Sequence, residues 1–309
     1  MELIRGLYNL REHQRASAVT IGNFDGVHLG HQHLIDTVCQ QAAQSGLRAC
    51  VVSFEPLPVE YFVTESPPRL TSMREKFSAL RSHPLQQLLL LRFNEALAGT
   101  HADDFIKQVL IDGLDTKYLL IGDDFKFGKN REGNFATLVA AGEKYGFEIH
   151  QAQTLEMAGS RVSSTRIREE LAAGNIASAA ELLGRDYALE GRVEYGAQLG
   201  RTLGYPTANI GLKNHNPPLR GVFAVTAGVN GASQNGIANI GVKPTVHGVR
   251  LSLEVHLLDY SSDLYGKRLR ITFLHKLRDE KKFAGLEELK AAIANDEQNA
   301  RQWFAQNGR

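Results

Sequence analysis

Gly22-Asn23-Phe24-Asp25-Gly26-Val27-His28-Leu29-Gly30-His31 is the stretch on which the fold of the first half turns. Ahead of it, residues 18–21 read as a short buried strand. Behind it, Leu34, Ile35, Val38, Cys39 and Ala42 recur at helical spacing. Further apolar runs at 49–54, 88–91, 118–121 and 147–150 read as strands. Helical patterns lie between them. Ser72 with Glu75 resembles a capping box opening a helix that buries Phe77 and Leu80, and Phe105, Ile106, Val109 and Leu110 mark another. Residues 165–173 and 176–183 read as closing helices. Strands alternating with helices predict right-handed crossovers and an α/β domain with a doubly wound parallel sheet. In such a sheet the quoted stretch falls at the carboxyl end of the first strand, where open α/β folds bind ligands.

After Gly184 the rhythm changes. Strand-like stretches at 222–229, 237–240, 251–257 and 269–273 are separated by Gly, Pro and Asn. Leu251, Leu253, Val255 and Leu257 alternate with Ser252, Glu254 and His256, the period of a strand with one buried face. This predicts an antiparallel β-barrel, closed by a terminal helix with Leu286, Leu289, Ile293 and Trp303 on its apolar side. The expected domains are 1–184 and 185–309.

The length of 309 residues suits two domains, and 43% hydrophobic with 22% charged residues is an ordinary globular balance. A net charge of +1 argues against a nucleic-acid partner, because phosphate-backbone binders carry a dense basic excess. The N-terminus has no long apolar segment of the secretory type. The longest apolar run, near 88–91, is far below what a membrane span needs. A cytoplasmic protein is expected. Cys39 and Cys50 sit in apolar surroundings without partners at metal spacing, and read as buried small hydrophobes.

Two regions carry chemistry. Glycines at 22, 26 and 30 let the backbone approach a ligand, and the helix start beyond offers free N–H groups to phosphate. His28 and His31 can face one point there and stabilise charge at an attacked phosphorus without a metal. The plainer reading is a tight turn with exposed histidines. Two clustered nitrogen ligands without a thiolate make a poor zinc site. Ser163-Ser164-Thr165-Arg166-Ile167-Arg168 opens a late helix. Its hydroxyls can simply cap that helix, or with the orphan amides and Arg168 form an anion cradle.

In the second half, Gly200-Arg201-Thr202-Leu203-Gly204-Tyr205-Pro206-Thr207-Ala208-Asn209 joins a flexible loop to a rigid end. Thr207 and Asn209 share one face if extended and present oxygen ligands of the kind Mg²⁺ prefers. A surface turn fits the same residues equally well. Glu254 lies on the polar face of its strand, either as a solvated carboxylate or as a general base for a hydroxyl attacking the γ-phosphate of ATP.

The Gly22–His31 string and the later Ser-Ser-Thr-x-Ile-Arg string resemble the adenylyltransferase module of bacterial bifunctional FAD synthetase. Gly122-Asp123-Asp124-Phe125-Lys126-Phe127-Gly128 and Phe54-Glu55-Pro56 fit as well, while Leu57 stands where that family often has histidine. The resemblance implies that His28 and His31 act on the ATP phosphates, with Gly22, Phe24, Asp25 and Gly30 lining the nucleotide site. It implies that Ser164, Thr165 and Arg168 hold the triphosphate end, and that Asp124 and the loop around Phe54 lie near the flavin. The second half resembles the riboflavin kinase module of the same family. The strings are Gly200–Asn209, Asn239-Ile240-Gly241-Val242-Lys243-Pro244-Thr245, Leu253–Asp259 and 269–283. In that light Gly200 and Gly204 belong to the nucleotide loop, Thr207 and Asn209 hold Mg²⁺ with ATP as co-substrate, Glu254 is the base, and Gly221 shapes the nucleotide loop.

The implied enzyme uses small molecules only: riboflavin and ATP yield FMN, then FMN and ATP yield FAD and pyrophosphate. Two rivals stand beside it. One is an adenylyltransferase for another phosphorylated metabolite with an accessory barrel. The other is a flavin-binding regulator without catalysis.

Overall fold

The computed structural model describes residues 1–195, 204–212, 215–229, 231–245 and 248–308. The described residues pack as two units: Met1–Pro67 with Lys76–Ser163, and Pro68–Glu75 with Ser164–Arg309.

The first unit is built on a six-stranded sheet of β1 (Glu2–Arg5), β2 (Ser17–Ile21), β3 (Arg48–Glu55), β4 (Gln87–Arg92), β5 (Thr116–Ile121) and β6 (Glu148–Gln151), ordered β1-β4-β3-β2-β5-β6. Every pairing is parallel. The alternation of strand and helix therefore produced the expected α/β class. The sheet has one strand more than the apolar pattern showed. β1 adds on β4 at the edge, and only its Ile4 is buried, which leaves no hydrophobic run to read. The stretch 18–21 is thus the second strand of the chain.

The central strands are buried on both faces, as parallel sheets require. On one face Val19, Ile21, Cys50, Val52, Leu89, Leu119 and Ile121 pack with Phe105, Ile106, Val109, Leu110 and Leu138. The helix Leu29–Ser45 packs against β2, β3 and β5 and buries Ile35, Val38, Cys39 and Ala42. Burying one such aliphatic side chain contributes ~1.5–3 kcal/mol. The chain runs from β2 to β3 on one side and places β5 on the other. The switch point of the sheet therefore lies between β2 and β5, directly after which stand residues 22–31 and 122–124. Beyond β6 the short strands β7 (Glu156–Met157) and β8 (Ser160–Arg161) form a hairpin.

The second unit holds a closed antiparallel barrel of β9 (Ala188–Glu194), β10 (Ala208–Gly211), β11 (Gly221–Val229), β12 (Ala232–Thr245), β13 (Gly248–Leu257) and β14 (Arg268–Arg278), ordered β10-β13-β12-β11-β14-β9. The alternation in β13 holds from Ser252 onward: Leu253, Val255 and Leu257 are buried and Ser252, Glu254 and His256 half-buried, whereas Leu251, expected on the buried face, is only half-buried. Phe223 and Phe273 meet edge to face at 5.4 Å between ring centroids, both fully buried. The terminal helix Leu286–Gln306 covers the outside of β11 and β12. There Ala300 and Phe304 pack with Val222, Ala224 and Ile237. Asp296 of that helix, 4% exposed, accepts two hydrogen bonds from the Arg278 guanidinium at 2.8 and 2.7 Å.

The second unit also takes in segments that precede residue 185. Helix Ile176–Leu183 buries Ile176, Ala179, Leu182 and Leu183 and packs against β14. The capping box at Ser72 forms as expected, with Ser72 N–H donating to Glu75 Oε2 at 2.6 Å and Glu75 N–H to Ser72 Oγ at 3.3 Å. The other oxygen of the buried Glu75 accepts the Glu190 N–H of β9 at 2.6 Å, and His215 Nδ1 stands 3.6 Å from Oε2.

Candidate functional sites

In the first unit, the turn from β2 into helix Leu29–Ser45 is held in an uncommon conformation. Phe24, Gly26 and Val27 have φ of 48°, 84° and 43°. For Phe and the β-branched Val this left-handed region is costly, of order 1–3 kcal/mol each, and persists only where the surroundings over-determine it. Phe24, Asp25, Val27 and His28 are all buried. His28 is the N-cap: its Nδ1 accepts the His31 N–H at 3.4 Å, which leaves Nε2 as the donor of a neutral ring. The His28 and His31 rings stack with centroids 3.6 Å apart and planes 20° from parallel. Phe24 lies against His31 at 5.0 Å. A Cβ at Gly30 would stand 3.3 Å from the His28 ring, and one at Gly22 3.2 Å from the Phe24 ring. Both glycines thus let aromatic rings close over the backbone. The structure brings Gly22, Phe24, Asp25, His28, Gly30 and His31 into one cluster at the carboxyl end of β2.

Two further loops rise from the same edge of the sheet. Phe54 and Glu55 end β3, and Gly122–Asp124 follow β5. Asp124 is exposed and pairs with Arg161 at 3.2 Å. Its neighbour Asp123 is held below the ordinary carboxylate range, first by the hydrogen bond from the Thr154 hydroxyl and then by the Arg161 charge.

Two residues that no local pattern marks join this cluster. Lys76, 1% exposed, donates from Nζ to the Asn23 carbonyl at 2.7 Å, and the buried Ser53 donates to the same oxygen at 3.2 Å.

Ser164, Thr165 and Arg168 belong to the second unit, at the start of helix Ser164–Ala173. Thr165 is exposed, and Arg168 Nε donates to the Pro68 carbonyl at 2.6 Å.

The barrel carries the other cluster. Register places Asn209 of β10 directly opposite Glu254 of β13, and Asn239 of β12 opposite Glu254 on its other side. Opposed residues share a face with Cβ atoms about 4.5–5.5 Å apart. Glu194 of β9 continues the row beyond Asn209. Thr207 immediately precedes β10 and is half-buried, as Asn209 is. His256 Nδ1 lies 2.8 Å from the Pro206 carbonyl and pins the approach to Thr207. Asn239 opens the string Asn239–Thr245 of the kinase resemblance, which implied no role for it. Gly204 is exposed with φ of 87°, and Gly200 lies outside the described residues. Gly221 has φ of 121°, and a Cβ there would stand 2.6 Å from the Arg278 carbonyl. Among the described residues no group of three or more His, Cys, Asp or Glu side chains is arranged to hold a metal, and no helix is long and apolar enough to cross a membrane.

Comparison with known proteins matches each half. Residues 10–166 match the FAD synthetase family and residues 183–304 the riboflavin kinase family. These matches set the chain among transferases built from a nucleotidyltransferase module followed by a kinase module. The Escherichia coli K12 bifunctional riboflavin kinase/FMN adenylyltransferase is 46% identical over 307 residues, covering 98% of each chain. The Pseudomonas fluorescens protein of the same description is 46% identical over 97% of each chain. A crystal structure from Streptococcus pneumoniae, described as a macrolide-efflux protein, superimposes with a TM-score of 0.84 at 27% identity over 98% of this chain and all of that one. The chain belongs to the family of bifunctional riboflavin kinase/FMN adenylyltransferases.

Proposed function

We propose that this chain makes FAD in two ATP-dependent steps, with residues 185–309 phosphorylating riboflavin to FMN and residues 1–184 adenylylating FMN with release of pyrophosphate. The observation that carries the reading is that each family match falls on a module with its own cluster of reactive side chains. In the barrel, Glu254 takes the proton of the riboflavin hydroxyl as that oxygen attacks the γ-phosphorus. Thr207 and Asn209 supply hard oxygen donors on the face where Glu254 stands, a set that fits Mg²⁺ completed by phosphate oxygens. Bound there, the ion would neutralise charge on the nucleotide.

In the sheet module, the FMN phosphate is already an anion and needs no base to attack the α-phosphorus. The task there is to bind charge. Nε2 of His28, the His31 ring and the N–H groups opening helix Leu29–Ser45 face the departing pyrophosphate. Gly22, Phe24, Asp25 and Gly30 line the nucleotide, and Asp124 with the loop around Phe54 lies toward the flavin. Ser164, Thr165 and Arg168 are assigned to the triphosphate, and Gly200, Gly204 and Gly221 to the nucleotide loop of the kinase. The partners are riboflavin, FMN, FAD and ATP, without nucleic acid or membrane, in the cytoplasm.

The test is incubation with riboflavin, ATP and Mg²⁺ followed by chromatography. FMN should appear first and FAD after it, supplied FMN should yield FAD alone, and chelation should stop riboflavin phosphorylation. Failure to form FMN, or FAD formation only from added FMN, would overturn the assignment of both steps to one chain.

A further inference from the structure

Lys76 is a charged side chain in the first unit for which the proposed chemistry has no use. It lies in helix Met73–Leu80 and is 1% exposed. Removing an ammonium group from water is costly unless polar groups replace its hydration, so a lysine this buried is held for a reason. Its Nζ donates to the Asn23 carbonyl at 2.7 Å and lies 3.4 Å from Ser53 Oγ. Ser53, fully buried in β3, donates its own hydroxyl to that carbonyl at 3.2 Å. One backbone oxygen therefore accepts hydrogen bonds from two buried side chains.

The position of that oxygen matters. The peptide joining Asn23 to Phe24 is planar, so its C=O and N–H point in opposite directions. Drawing the carbonyl inward toward Lys76 turns the Phe24 N–H away from the interior. The left-handed residues Phe24, Gly26 and Val27 follow at once, and then the stacked His28 and His31. A loop of this conformation relaxes unless something fixes it. The clamp at Asn23 sits at the end where the chain leaves β2.

We propose that Lys76, assisted by Ser53, is a positioning residue for adenylyl transfer: it clamps the Asn23 carbonyl and so holds residues 22–31 in the shape that seats the two histidines. Its role would be to hold the loop rather than to react. The inference rests on the assignment of adenylyl transfer to His28 and His31.

Lys76→Met keeps the bulk of the stem and removes the donors. A misplacement of about 1 Å costs on the order of 10²-fold, so FMN-to-FAD turnover should fall about 10–100-fold. The loss should fall on kcat more than on the KM for ATP. Riboflavin phosphorylation by the same preparation should stay within about two-fold, and the melting temperature should not drop. Ser53→Ala should lose less, because Lys76 still donates. The double variant should lose more than Lys76→Met alone, since it strips the one carbonyl of both donors.

Wild-type FAD synthesis by Lys76→Met, wild-type FAD synthesis by the double variant, or parallel loss of both reactions with a lower melting temperature would each overturn the proposal. A His28→Ala/His31→Ala variant separates its failure from that of the underlying assignment. If that variant still makes FAD at the wild-type rate, the histidine site is wrong. If it is inert while Lys76→Met is fully active, only the clamp is wrong.

Discussion

Glu254→Gln is the sharpest perturbation of the kinase module, because the structure predicts what it leaves intact. Glu254 is half-buried in β13, opposed by Asn209 and by Asn239. Glutamine has the same length and can still accept and donate hydrogen bonds toward those amides. Leu253 and Val255, buried on the other face, anchor the strand without it. Folding should therefore be unaffected, within the ~0.5 kcal/mol typical of substitutions away from the core. What disappears is a carboxylate able to take a proton. Loss of a positioned base costs ~10²–10⁴-fold, or about 3–5 kcal/mol at 1.36 kcal/mol per decade. The loss should appear in kcat for riboflavin phosphorylation, with KM for ATP little changed, because Thr207 and Asn209 remain. FMN adenylylation gives an internal control at full rate. The assay is chromatographic separation of FMN and FAD from parallel reactions started with riboflavin or with FMN. FMN formation from riboflavin near the wild-type rate would refute the role of Glu254.

Replacing both His28 and His31 by alanine should let FMN accumulate from riboflavin, with FAD formation reduced by about 10²-fold or more from lost preorganised donors; unchanged FAD synthesis in a well-folded variant would contradict this. Gly221→Ala places a Cβ 2.6 Å from the Arg278 carbonyl at a φ of 121°. It should lower the stability of the barrel by about 1–3 kcal/mol, read in thermal unfolding. Asp296→Ala removes both acceptors of a largely buried Arg278 pair and should cost about 2 kcal/mol after allowing for the partial exposure of the guanidinium; an unchanged melting curve would argue against it. Burial pushes the thiol of Cys50 up to about 12, and burial with the Asp36 charge pushes Cys39 to about 11. The thiolate is the nucleophile, so at pH 8 both should resist iodoacetamide in the native protein and react rapidly in denaturant.

The fold was legible where its signals are local. The switch from alternating strand and helix to strand after strand comes from periods of a few residues, and both modules followed from it. β1 was not legible, since Ile4 alone is buried and its pairing with β4 depends on residues 87–90. β9 and β10 were missed for a related reason: Gly191, Gly211 and Asn209 interrupt their apolar pattern. Gly191 permits the close approach of strands there, a Cβ standing 2.6 Å from the Gly211 carbonyl. Helices Ser164–Ala173 and Ile176–Leu183 were legible as helices, yet nothing in their spacing reveals that they pack in the unit containing the barrel. Their partners are Pro68 and β14, distant in sequence.

The candidate sites divide along the same line. Residues 22–31 form a cluster within one turn, so a contiguous motif carries nearly all of it. Lys76 is the exception. Lysine is ordinarily solvated, and a carbonyl that helps hold this buried one lies 53 residues away. The barrel cluster is assembled from β10, β12 and β13, and its parts are separately unremarkable: a Thr-x-Asn pair, an asparagine and a strand glutamate. Register alone makes them neighbours. Because the side-chain period of a strand is two, a slip of one residue in β10 would turn Asn209 inward and bring Ala208 or Ile210 opposite Glu254. The strands are pinned against this by the buried Ala208, Ile210, Leu253 and Val255 on the inner face. The hydrophobic core of the barrel therefore fixes the reactive row as well as the stability, whereas in the sheet module those tasks fall to different residues. Ile210→Ala, which empties a buried site in the barrel, should accordingly cost stability and also disturb riboflavin phosphorylation through geometry, where Val38→Ala, on the face of helix Leu29–Ser45 turned toward the sheet, should cost stability alone and leave the histidine turn in place.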